Sequence, residues 1–208
     1  MNVDLHFHYR RRFEDVDDRL VKMVKTAEKA GVNGIVLLDH QYFPTNDVLA
    51  SARKAAPTIT FWRGCELTIV DEARQIEDDV VIASDQPIDF DCSHKLSTKN
   101  LKAFSEACRR DDVFTMLAHP FRKHNSVAFD FSEFRPIMID AMGRTANQNS
   151  LQKVVNLAAC WGMALASNSD AHVCRHIGRH YLDFKDKLDS VKDLIEAVYR
   201  SRYRVVTG

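Results

Sequence analysis

Five consecutive apolar residues, Gly34-Ile35-Val36-Leu37-Leu38, run directly into Asp39-His40. A strand with no polar side chain on either face must be covered on both, which is the situation of a parallel strand in an α/β fold. Parallel neighbours cannot be joined by tight hairpins. They need long crossover connections, usually helices. The rest of the chain should therefore alternate strands with helices.

It does. Val3–His8 reads as a strand. A helix capped by Asp17 or Asp18 runs to about Ala30, with Leu20, Val21, Val24, Ala27 and Ala30 at helical spacing and Gly31 as its stop. A second helix is expected at about Asn46–Ala55, then a strand over Thr58–Thr68 carrying Glu66 near its end. Val80–Ala83 and Phe90–Ser93 read as short strands and Lys99–Arg110 as a helix with Leu101, Phe104, Ala107 and Cys108 on one face. Thr115–Ala118 is a strand ending at His119-Pro120, and Pro136–Ala141 another. Asn149–Trp161 is a helix with Leu151, Val154, Val155 and Ala158 inward. Met163–Ser167 is a strand that stops just before Asp170. Ser190–Arg200 and Tyr203–Thr207 close the series as helix and strand. Seven or eight strands in 208 residues predict a mostly parallel sheet with helices outside, a small βα-barrel, complete or incomplete. Seven glycines and five prolines fall at element ends, with no repeat and no linker, so residues 1–208 are expected to form a single domain.

Composition narrows the function classes. Lys plus Arg equals Asp plus Glu at 29 each, so net charge gives no argument for nucleic acid or an anionic membrane as partner. Basic and aromatic residues are not interleaved, which argues against long nucleic acid. Five cysteines, an odd number with no Cys-x-x-Cys, argue against a disulfide framework and for a reducing, cytoplasmic setting. A strand starting within a few residues of Met1 leaves no room for a signal peptide, and no apolar run approaches the roughly 18–20 residues of a membrane span.

The informative residues are polar and sit at strand ends, where α/β folds place their sites. His6 and His8 alternate on one strand, so both imidazoles share a face, about 6–7 Å apart along the chain. Downstream come Asp39-His40, Glu66, His94, His119-Pro120 and Asp170-Ala171-His172. Imidazole and carboxylate suit zinc, manganese or iron rather than calcium. There are more ligands here than one tetrahedral ion can use, so two or three divalent metals are expected.

Taken together these segments resemble the PHP (polymerase and histidinol phosphatase) superfamily. Asp4-Leu5-His6-Phe7-His8 is similar to its opening Asp-x-His-x-His, Asp39-His40 to its second motif, and Gly64-Cys65-Glu66 to its Gly-x-Glu. His94, Ala118-His119-Pro120 and Ser169-Asp170-Ala171-His172 follow in the family's order, with Gly178 after them. The resemblance implies a distorted seven-stranded βα-barrel with a trinuclear metal centre at the C-terminal strand ends. It implies a first metal on His6, His8, Glu66 and Asp170, and a second on His40 and His172 with an acidic residue from the loop after the first strand. A third would lie on Glu66, His94 and His119. That loop departs from the family pattern. It reads Arg10-Arg11-Arg12-Phe13-Glu14-Asp15, and Asp15 is favoured over Glu14 as the ligand.

The implied activity is hydrolysis of a small phosphomonoester or phosphodiester, a nucleotide or similar ester, by a metal-activated hydroxide. Asp39 either orients the adjacent ligand's second nitrogen or caps a strand end. His172 either ligates or protonates the leaving oxygen. Arg122 and Arg144 are the preferred phosphate-binding pair, with Arg10 and Arg175 as further candidates and Asn147 as an amide contact or a turn residue. Phe129, Phe131 and Phe134 read as loop packing or as a partner surface, and nothing in the sequence sets the oligomeric state. Two other readings stay open. One is an amidohydrolase-like hydrolase, which also begins with His-x-His but for which only Lys95 stands near a strand end as a bridging lysine. The other is a metal-binding module without turnover.

Overall fold

A computed structural model of the chain describes residues 1–9 and 18–208. Arg10, Glu14 and Asp15 lie outside the described residues. The elements in order are β1 (Asn2–His8), α1 (Asp18–Lys29), β2 (Gly34–Leu38), α2 (Asn46–Ala55), β3 (Thr60–Asp71), β4 (Ile76–Ser84), β5 (Leu96–Ser97), α3 (Leu101–Ala107), β6 (Val113–Ala118), β7 (Met138–Asp140), α4 (Leu151–Trp161), β8 (Ala164–Ala166), β9 (Tyr181–Phe184), α5 (Val191–Tyr199) and β10 (Tyr203–Val206). The strands form one sheet in the order β10-β9-β1-β2-β3-β4-β6-β7-β8, with β5 added beside β3.

The sheet curls until its ends nearly meet. The segment after β8 runs parallel to β1, with His8 N donating to Ala171 O (3.1 Å) and Ala171 N to His6 O (3.3 Å). At the other end of β1 the antiparallel strand β9 pairs through Val3 and Leu182. The result is a nearly closed α/β barrel whose seam is split between a loop above and the antiparallel β9–β10 pair below.

Three apolar layers hold it. One lines the barrel floor, where Val36, Leu38, Val81, Phe114, Met116 and Met138 meet Leu194 and Val198 of α5. A second lies under α1 and α2. A third lies under α3, α4 and the loop of residues 119–137. In α1 the buried positions are Leu20, Met23, Val24 and Ala27. Burial of the three larger ones contributes roughly 1.5–3 kcal/mol each. Met23, rather than Val21 or Ala30, completes that face. Phe129, Phe131 and Phe134 pack against one another in the third layer, with ring centroids 5.2 and 5.6 Å apart from Phe129, so they are core residues.

Four features differ from the sequence expectation. β4 is antiparallel to both β3 and β6, forming a long β3–β4 hairpin from Gly64↔Ala83 to Asp71↔Ile76. Its first half, Ile76-Glu77-Asp78-Asp79, is too acidic to read as a strand. Those carboxylates have partners: Thr68 Oγ1 donates to Asp79 (2.6 Å), and Ala128 N to Asp78 (2.6 Å). Phe90–Ser93 is irregular, and the extra pairing comes from Leu96–Ser97 instead. The helix expected from Lys99 is α-helical only from Leu101 to Ala107, after a single 3-10 turn. β9 carried no strand signal that separated it from the preceding loop.

Candidate metal centre

β1 is not a regular strand. Its register against β2 slips by one between Asp4 and Phe7. This bulge lets Leu5 pack into the barrel floor while Phe7, two residues on, packs outward beneath α1. A bulge leaves backbone groups unpaired. Here side chains satisfy them: Leu5 N donates to Asn168 Oδ1 (3.1 Å) and His6 N to Asp4 Oδ1 (3.2 Å). Asp4 Oδ1 also receives Ser169 N (3.2 Å). The bulge thus welds β1 to the loop that carries Asp170. It brings His6 Nε2 and His8 Nε2 to 3.0 Å of each other, far closer than alternate residues on a regular strand.

Around that pair the strand ends converge. Glu66, from the middle of β3, places Oε1 3.3 Å from His6 Nε2 and 3.1 Å from His119 Nε2. Its Oε2 lies 3.1 Å from His8 Nε2 and 2.9 Å from His40 Nδ1. Asp170 Oδ1 lies 3.3 Å from His8 Nε2, 3.6 Å from His6 Nε2 and 3.3 Å from His172 Nδ1. Three ligand groups follow: His8, His40, His172; His6, His8, Asp170; and His6, Glu66, His119. They overlap at His6 and His8, so they make one continuous cluster.

The cluster's floor is dry and its mouth is open. His6, His8 and Glu66 are essentially fully buried, whereas the side chains of His40 and His172 are 50% and 24% exposed. Two ligands sit on strained backbone: His119 has φ +28° and Asp170 has φ +44°, and Gln41, just after His40, has φ +51°. Left-handed conformations at non-glycine residues cost on the order of 1–3 kcal/mol each and gather at functional sites.

The charges are balanced internally. Burial opposes ionisation of Glu66, but His6, His119 and His40 outweigh it and hold its carboxyl well below the usual range. Asp170 is held down in the same way, by His172 and His8 against burial. For His8, burial works against protonation and is overcome by Asp170, Asp39 and Glu66, so it titrates well above an ordinary imidazole. His40 is raised chiefly by Glu66. His6 goes the other way, because burial dominates.

This donor set fits divalent metal ions. Five imidazoles and two carboxylates converge, the nitrogens of His6 and His8 face each other with nothing apolar to separate them, and no thiolate takes part. Cys65 turns away from Glu66 into the outer apolar layer beside Cys92. Neutral imidazole with carboxylate is a ligand set for zinc, manganese or iron. His6, His8, His40, Glu66, His119, Asp170 and His172 would hold them.

Several sequence candidates land differently. His94 is exposed on the loop before β5 and joins none of the ligand groups among the described residues. The loop that carries it was read as a strand end, but the chain there is irregular. His6 takes its place beside Glu66 and His119. Asp39 lies 3.7 Å from His8 Nδ1, so it faces a ligand on the neighbouring strand rather than the adjacent His40, whose backbone N it accepts (2.9 Å). Arg144 is a clamp. Its Nε donates to Ser169 O (2.7 Å), and its Nη2 to Asp170 O (2.9 Å) and Asp170 Oδ2 (3.3 Å). Arg122 is half exposed at the rim, 3.7 Å from Asp170 Oδ2. Arg175 is exposed and lines a cleft together with Arg144, His176, Arg179 and His180. Asn147 ties the loop down by donating to Phe121 O (3.0 Å). Sequence reading missed Asn168 and Asp140. Asn168 sits in a fully buried Ser167-Asn168-Ser169 run whose polarity directly after an apolar strand was the available signal. Asp140, ending β7, is buried with one oxygen unpartnered, and burial pushes its carboxyl up to about 7.

No curated protein matches the sequence. A family model described as PHP-associated matches residues 148–203. Among solved structures, PsfC from Pseudomonas syringae superposes with a TM-score of 0.64 at 16% identity, over 93% of this chain and 87% of that one. An amidohydrolase from Chromobacterium violaceum, with sulfate bound and no metal, gives 0.61 at 16% over 99% and 98%. A candidate metal-dependent phosphoesterase from Bifidobacterium adolescentis gives 0.58 at 13% over 95% and 96%. At these identities the likeness is one of fold. The PHP-associated match falls on the last part of the chain, over α4, β8, β9 and α5.

Proposed function

We propose that the chain is a metal-dependent phosphoesterase acting on a small phosphorylated substrate. One observation carries the reading: the ligand cluster is open. A purely structural metal site is closed by its protein ligands. Here a fully buried floor of His6, His8 and Glu66 rises to the half-exposed His40 and the partly exposed His172, with the Arg122 guanidinium at the rim.

Bound divalent ions would supply Lewis acidity, lowering the pKa of a water and neutralising charge on a phosphoryl group. The chain's own residues do the rest. Asp39 faces the second nitrogen of His8 at 3.7 Å and would orient its ring. Arg144 holds the Asp170 carbonyl and carboxylate in place. Arg122 reaches the mouth with donors to spare for phosphate oxygens. His172, partly exposed and hydrogen-bonded through Nδ1 to Asp170 O (3.1 Å), would either ligate a metal or give a proton to a leaving oxygen.

The second reading, hydrolysis of an amide, is favoured by the likeness to the Chromobacterium amidohydrolase. Against it, Lys95, the lysine that stands near a strand end, pairs with Glu77 (2.6 Å) instead. The sulfate on that same relative is a tetrahedral anion, which fits the phosphate reading. The test is p-nitrophenyl phosphate turnover by protein loaded with zinc or manganese, with and without chelator, beside a panel of N-acyl amino acids. Chelator-sensitive phosphate release supports the phosphoesterase. Amide cleavage without phosphate release would replace it.

A further inference from the structure

β6 starts at Val113 and delivers His119 to the metal cluster at its far end. At its starting end lies a groove of about 800 Å³, walled by α5, the end of α3 and the loop of residues 131–137. Val113, Phe131, Phe134, Trp161 and Ile195 give it an apolar floor. On its rim stands Tyr199, the exposed large hydrophobic side chain among the described residues, with 70% of its surface open to solvent. Lys192, Ile195, Glu196 and Tyr199 follow helical spacing, so one stripe of α5 lines the groove from end to end. A tyrosine ring that packs on nothing forgoes a large burial term, and a tyrosine is the side chain that serves well where one end must be dry and the other wet.

The charges around the groove indicate what would cover it. Lys192 pairs with Asp111 (2.6 Å), Arg110 with Asp112 (2.6 Å) and Glu196 with Arg200 (3.1 Å), so these are compensated within the chain. Arg109 and Glu133, one of each sign, line the groove in exposed positions with no ion pair among the described residues. A polyanion or an anionic membrane meets no field of a single sign here. A patch with an apolar centre and an open charge of each sign is complementary to a copy of itself. Across a two-fold axis, a contact of Arg109 with Glu133 would form twice.

We propose that the chain forms a two-fold dimer through this groove, with Tyr199 of each copy seated in the groove of the other. Projecting ring and receiving groove lie on one patch, so the contact closes after two copies instead of propagating into a filament. Eighteen residues line the groove, close to the roughly 20–30 a side of an interface that covers about 800 Å² on each partner. The dimer leaves both metal clusters open, because the groove and His119 lie at opposite ends of β6. It stands independently of the phosphoesterase reading.

The experiment is sedimentation velocity of the metal-loaded protein over about 1–100 μM, for wild type, Tyr199→Glu and Tyr199→Phe. Wild type is expected to reach twice the chain mass. Tyr199→Glu should raise the dissociation constant about 30-fold or more, the loss typical of an interface hot spot. Tyr199→Phe, which keeps the ring, should stay dimeric. Both variants should keep native circular dichroism and full metal content, because the side chain is exposed and far from the ligands. Wild type that stays monomeric throughout would overturn the proposal. So would a dimer that Tyr199→Glu leaves intact, which would place the interface on another face. A monomer that binds the dye anilinonaphthalene sulfonate, with binding lost in Tyr199→Glu, would assign the groove to a different apolar occupant and equally overturn the second copy.

Discussion

Arg144 separates two accounts of this site, one in which it touches substrate and one in which it builds the metal cluster. The structure gives it three hydrogen bonds, to Ser169 O at 2.7 Å, Asp170 O at 2.9 Å and Asp170 Oδ2 at 3.3 Å. All three fall on the loop where Asp170 adopts φ +44°. Replacing Arg144 by Ala removes them together. Hydrogen bonds to charged groups contribute about 1.5–3 kcal/mol when buried. The side chain is 30% exposed, so water recovers part of that, and a total loss of about 2–4 kcal/mol is expected. The metal-free protein should therefore unfold at lower denaturant. Without the clamp, Asp170 can relax towards an unstrained backbone, and losing such outer support typically costs about 10–100-fold in metal affinity. Lys in its place can make one of the three bonds and should recover little. The assay is metal affinity by competition with a chromophoric chelator, alongside urea unfolding and p-nitrophenyl phosphate kinetics. If Arg144→Ala keeps its metal affinity and stability but raises KM at constant kcat, the clamp account is refuted and the residue is a phosphate ligand.

Further predictions follow the same geometry. Burial raises the Asp140 carboxyl from 3.8 to about 7, so between those values the folded state holds a proton that the unfolded chain has lost, and stability falls as pH rises through that window. The full span corresponds to about 4 kcal/mol as an upper bound. Metal-free Asp140→Asn should be more stable than wild type at pH 8 and no more stable at pH 4, with parallel stability–pH curves as the contrary result. Glu66→Gln removes the carboxylate that faces four imidazoles, and metal content measured by elemental analysis should collapse while far-ultraviolet circular dichroism stays native. His119→Ala should lose metal under conditions where His94→Ala, changed on an exposed loop, keeps its full complement. Equal losses in both would return His94 to the cluster.

Most of the side chains that converge in the cluster were legible because their signal is local. A buried strand announces itself by unbroken apolar residues, and its C-terminal end is where the chain turns polar, so Asp39-His40, His119-Pro120 and Asp170-Ala171-His172 could each be placed at the barrel mouth from a short window. Glu66 was readable for a similar reason, although it lies inside β3 with the hairpin continuing beyond it to Asp71. The acidic half of β4 was not readable. Its carboxylates are offset by Thr68 and Ala128, residues distant in sequence whose proximity appears only on folding.

The sequence by itself determined most of the strand–helix alternation, the barrel class, the chemistry of the candidate ligands and the end of the barrel that carries them, because each follows from periodicity and residue type within a few positions. Only the tertiary structure decided how the ligands are shared. The β1 bulge that closes His6 on His8 depends on Asn168 and Ser169, more than 160 residues away. The recruitment of Asp39 to His8 and of Arg144 to Asp170, the exclusion of His94, and the gathering of Arg175 and Arg179 beside the cluster likewise depend on neighbours in space. A side chain's type sets which bonds it can make, but the closed path of the sheet sets which partners it meets.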